Sequence, residues 1–138
     1  ASRPRARGGG RVSELEPFDV LFEREGRPAV ELPEALRRIY GGDLGLREPC
    51  VYANFVSTVD GVVAIPSLPR SNDEIAAGSK ADHFLIGLLR AFADVVLVGA
   101  GVLKDSPRGT WLPEKAFPPG ADAFAELRRR IGKPFQVP

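Results

Sequence analysis

One strong helix stands between two stretches with a strand's pattern, and that order constrains this chain more than any other feature. Residues 80–93, KADHFLIGLLRAFA, place Ala81, Phe84, Leu85, Leu88, Leu89 and Phe92 at helical spacing. Ser79 followed by Asp82 has the form of a capping box at its start. Ahead of it lies VYANFVSTVDGVVA, residues 51–64, whose first half alternates in the manner of a half-buried strand. Behind it lies ADVVLVGAG, a Val-rich apolar run bounded by Asp94 and Gly99, which reads as a buried strand. Strand, helix and strand in that order make a βαβ unit, with parallel pairing and a right-handed crossover.

The remainder supplies shorter elements. LPEALRRIYGG predicts a helix with Pro33 in its first turn, an apolar side of Leu36, Ile39 and Tyr40, and a Gly41-Gly42 stop. FDVLFEREG reads as a short strand or extended arm. Residues 65–79, rich in Pro, Ser, Asn, Asp and Gly, predict a long surface connection, and residues 104–120 a second one. ADAFAELRRRIGKP predicts a final helix capped by Asp122, with Phe124, Leu127 and Ile131 as its stripe. Arg128, Arg129 and Arg130 there read as a complement to the helix dipole on a solvated face.

Composition removes several classes of function. At 138 residues with 43% hydrophobic content, the chain can build one ordinary core. One cysteine, Cys50, and one histidine, His83, allow no intrachain disulfide and no usual structural zinc site, so no metal is expected. Cys50 is read as packing, His83 as a solvated helix residue, and a reducing, cytoplasmic setting is the default. The longest apolar run, residues 95–103, is too short to span a bilayer, so no membrane partner is expected. Four of the 19 basic residues, Arg3, Arg5, Arg7 and Arg11, fall in the first eleven positions, and the rest of the chain is net acidic. Residues 1–14 therefore read as a disordered basic tail, residues 15–138 as the folded part, and nucleic acid is not an expected partner. A chain that begins with Ala1, contains no Met and stops at GKPFQVP, in what reads as a helix-to-strand connection, is expected to be a processed or partial chain or one finished by another chain.

Chemistry in an open parallel sheet gathers at the carboxyl ends of strands, where helix N-termini and loops offer free N–H groups. The first strand runs into Ser57, Thr58, Val59, Asp60 and Gly61, and the second into Gly99, Ala100, Gly101 and Val102. Glycines at 99 and 101 would let the backbone approach a phosphate or ribose, although the third glycine of a dinucleotide fingerprint is missing and such a strand end is more often a plain turn. No strained Gly-x-Ser-x-Gly elbow and no carboxylate pair with acid/base spacing is present.

The segments NFVSTVDGVVA and ADHFLIGLLRAFADVVLVGAG, with the loop between them, resemble the reductase domain of riboflavin biosynthesis. Residues 32–46 and 106–134 look like its pyrimidine reductase branch. The resemblance implies a dihydrofolate-reductase-like α/β fold, a mainly parallel sheet flanked by helices and incomplete in this chain. It implies an NADPH-dependent oxidoreductase that reduces the ribose of a phosphorylated aminopyrimidine riboside to a ribityl chain, acting as a homodimer. Carried over position by position, Asn54, Ser71 or Asn72, and Arg90 would hold substrate, Arg90 as a phosphate partner. Ser57, Asp60, Gly99, Gly101, Val102 and Asp105 would border NADPH; no catalytic proton donor is assigned. The family's Thr after Gly-Ala-Gly is Val102 here, Asp105 is only an approximate counterpart, and the family's second glycine-rich phosphate loop would lie beyond residue 138, so this chain alone is expected to bind NADPH poorly and to be inactive. Two alternatives stand beside this reading: a non-catalytic nucleotide-binding or interaction module on the same fold, and a dihydrofolate-reductase-like enzyme with another substrate.

Overall fold

The computed structural model describes residues 15–133 apart from 20, 23, 24, 27, 47, 69 and 70. Among the described residues its helices are α1 (Glu34–Tyr40), α2 (Ser71–Ala76), α3 (Lys80–Phe92), α4 (Ala100–Asp105), α5 (Pro113–Ala116) and α6 (Ala121–Arg130), with a 3₁₀ turn at Pro118–Gly120. The basic tail, residues 1–14, lies outside the described residues.

Helix α3 is the axis on which the others pack. Ser79 Oγ accepts the Asp82 N–H at 3.2 Å, so a side chain takes up one of the donors that every helix start leaves unsatisfied. The apolar spacing then buries Phe84, Leu88, Ala91 and Phe92 on one side. Phe84 is the centre of that core. Its ring meets Phe18 and Phe117 edge-on, each at 5.6 Å between centroids, and Phe124 of α6 at 6.4 Å. Such edge-to-face pairs set the positive ring edge against the negative face of the neighbour. Gly87 makes the approach possible: a Cβ there would stand 2.7 Å from Phe124 Cζ and 3.2 Å from the Pro113 carbonyl oxygen. Leu32, Leu36, Ile39 and Leu44 join the same core from α1 and its flanks. Gly41 ends α1 at φ 86°, a left-handed conformation that favours glycine, and its N–H closes on the Arg37 carbonyl.

The parallel sheet is the main correction. Among the described residues, the only β pairing is an isolated antiparallel bridge between Val30 and Leu44. Residues 50–59 and 94–99, expected as parallel strands, form no ladder, and residues 51–57 and 94–98 are not helical either. The second of these segments keeps a strand's alternation without its partners. Val96 and Val98 are half-buried and alternate with the exposed Val95 and Leu97, whereas in the first segment Tyr52 and Val56 are half-buried and the three residues 53–55 between them are exposed. Periodicity reports which side of a segment is covered; it does not report a lateral neighbour, and a ladder requires one. With the sheet goes the dihydrofolate-reductase-like fold assigned from the resemblance.

Smaller expectations also change. The connection over residues 65–79 contains α2, and the one over 104–120 contains α5 and the 3₁₀ turn. The glycines at 99 and 101 do not form a loop: Gly99 is the N-cap of α4 and Gly101 lies within it. Gly120, not Asp122, occupies the N-cap of α6, and Asp122 sits in the first turn. Arg128 is buried rather than solvated, at 6% exposure. Cys50 is exposed, so it does no packing.

Candidate functional site: two unpaired apolar segments

The expected substrate and cofactor residues occupy separate local structures. Thr58 and Asp60 close a tight turn: the Gly61 N–H donates to the Thr58 carbonyl at 2.9 Å, the Val62 N–H to Thr58 Oγ1 at 2.9 Å, and Thr58 Oγ1 donates to Asp60 Oδ1. That hydroxyl, together with Asp60's own backbone N–H, holds the carboxyl below its usual range. Asp60 is thus engaged in the turn. Asn54 and Ser57 are exposed on the segment before it. Ser71 is buried at the start of α2, where its Oγ accepts the Ile65 N–H at 3.0 Å and ties the preceding loop to the helix; Asn72 beside it is exposed.

Arg90 lies over the ring of Trp111, 5.5 Å from its centroid. This cation–π contact fastens the segment before α5 to α3, and partial burial lowers the affinity of the guanidinium for its proton without bringing it near neutrality. Gly101 and Val102 are exposed on α4, and Asp105 ends that helix. Among the described residues, no group of three or more His, Cys, Asp or Glu is placed to hold a metal ion, and no helix is long and apolar enough to cross a membrane. A shallow open depression, lined by Glu34, Arg37, Arg38, Gly41 and Gly42, includes none of the expected site residues.

What the structure does bring together is the origin of the two unpaired segments. Lys133, just past α6, reaches Glu48 at the start of the first segment and Asp94 Oδ2, 3.0 Å away, at the start of the second. Its ammonium also donates to the Phe92 carbonyl at 3.1 Å and lies over the Phe92 ring. Burial alone would lower the Lys133 pKa, but hydrogen bonds to Glu48 and Asp94 outweigh it and raise the value. One cation therefore pins both segments to the end of α3. No spacing in the sequence joins positions 48, 94 and 133.

Tyr52 supplies a second anchor. Its hydroxyl donates to the Leu89 carbonyl of α3 at 2.7 Å. Burial, then the negative charges of Cys50, Asp94 and Glu48, push its pKa from 10.0 to about 12. The raised value means that the folded state favours the neutral phenol. Its contribution is present in full below pH 10 and is lost as pH rises toward 12. Tyr52→Phe is expected to cost about 1 kcal/mol at neutral pH, the usual worth of one such bond. It should also remove from the near-ultraviolet titration a phenol that ionises near pH 12; a wild-type titration without that late step would show that the anchor does not form.

Beyond these anchors, the segments project apolar side chains into solvent. Val51 is 96% exposed, Phe55 80%, Val95 71% and Leu97 87%. Val59, Val62 and Val63 continue the first exposure, and Val102 and Leu103 on α4 continue the second. Isolated exposed apolar residues are ordinary, but a concentration of them on segments that form no ladder among the described residues marks an interaction surface or an aggregation liability.

No family model, no curated protein and no solved structure matches this chain. The assignment to the riboflavin pyrimidine reductase family therefore has no support from a relative, and the helical structure, with no sheet among the described residues, contradicts the fold on which it depended. The reductase activity, and the alternatives that placed other functions on that same fold, lose their basis together.

Proposed function

We propose that this chain is a polypeptide-docking module: a helical core that holds out residues 51–57 and 94–98 for another polypeptide to cover. The observation that carries the reading is the exposure of Val51, Phe55, Val95 and Leu97 on two segments that form no ladder among the described residues. Both open backbone groups and open apolar side chains favour a polypeptide occupant, because a strand added to an edge supplies main-chain hydrogen bonds and side-chain burial at once. Lys133 and Tyr52 support it further, since they fix where the segments leave the core and so limit the ordering cost of binding.

Amide hydrogen exchange together with dye binding tests the reading. Residues 51–57 and 94–98 are expected to exchange almost as fast as free peptide while the centre of α3 is protected. A hydrophobic dye such as anilinonaphthalene sulfonate should bind, and Phe55→Ser combined with Leu97→Ser should weaken that binding without lowering the unfolding midpoint. Strong protection of both segments in the monomer, or dye binding indifferent to the two substitutions, would remove the docking surface.

A further inference from the structure

We draw no further inference here: the strongest candidate, the exposed apolar side chains of Val51, Phe55, Val95 and Leu97 on the two segments that leave the core beside Lys133, belongs to the docking surface already described, and nothing in the structure shows what covers it.

Discussion

Phe84→Ala is expected to lower the stability of the folded core by about 4 kcal/mol, the cost typical of truncating a fully buried aromatic ring. Phe84 has no exposed surface and is the ring against which Phe18, Phe117 and Phe124 all pack. Truncation removes the transfer free energy of the ring and leaves a void whose walls come from three separate stretches of the chain. Those walls cannot collapse easily. Gly87 and Gly120 already hold Phe124 so closely that a Cβ at either would stand 2.7 Å from its ring. A small domain commonly has only about 5–15 kcal/mol of stability in total, so the loss is a large share. Urea unfolding of wild type, Phe84→Leu and Phe84→Ala measures it. Phe84→Leu, which keeps most of the volume, is expected to cost about half as much as the alanine variant. Equal and small losses in both would mean that the aromatic cluster is not the centre of the core.

The functional consequence follows from where Phe84 sits. The helix that carries it also carries Leu89, whose carbonyl receives the Tyr52 hydroxyl, and Phe92, whose carbonyl receives Lys133. Loosening α3 therefore loosens both anchors of the exposed segments. A variant destabilised at Phe84 should lose the defined placement of both segments before it loses apolar exposure, and nonspecific aggregation should rise.

The helices that were legible in the sequence are those with local punctuation. Ser79 and Asp82 mark the start of α3, Gly41 the end of α1, and the stripe of Phe124 and Leu127 the buried side of α6. These signals depend on residues within a turn or two of each other, and chain neighbours hold them wherever the element lies. The elements that escaped are short. α2, α4 and α5 have six, six and four residues, and the segments around them are rich in Pro, Gly, Ser and Asp, which read as loop. Their helicity comes from context, because an isolated turn gains too few hydrogen bonds to offset its nucleation.

The error over the sheet has a different origin. Val95, Val96, Leu97 and Val98 carry the composition of a strand buried on both faces, and residues 51–57 carry a strand's alternation. Both patterns state what the side chains need; neither supplies the neighbour that would meet the need. In the folded chain the need remains open, with Leu97 and Val95 in solvent. The mismatch between a buried-strand composition and an exposed position is the clearest functional signal the molecule has. For the expected site the outcome is plainer. Asn54, Ser57, Asp60, Ser71, Arg90 and Gly99 carry the roles that the resemblance implies, and those roles presuppose a sheet that the described residues do not form.

Arg128→Ala is expected to cost about 3 kcal/mol, far more than a surface arginine would, and the reason could not be read from a run of three arginines. The Arg128 guanidinium, buried against the end of α3, donates from Nη1 to the carbonyls of Ala91 and Ala93, each at 3.0 Å. These lie at the end of α3, where the last carbonyls of a helix have no intrahelical donor. Burial lowers the proton affinity of this guanidinium, but its ordinary value is so high that the charge persists. Alanine would leave two carbonyls without this donor at a partly dry site, which is why the cost exceeds that of one average hydrogen bond. Arg128→Lys supplies the control: a single ammonium keeps the charge but not the planar fork, so recovery should be partial, to a deficit of about 1–2 kcal/mol. Residues 129 and 130, both exposed, should each tolerate alanine within about 0.5 kcal/mol. Ala93 is the last residue before the second exposed segment begins at Asp94. The Ala93 N–H donates to the Leu89 carbonyl, so loss of the clamp should also accelerate amide exchange at Ala93, while Arg129→Ala leaves it unchanged. Equal behaviour of the two alanine variants would reduce Arg128 to an ordinary surface charge and detach α6 from the control of the docking segment.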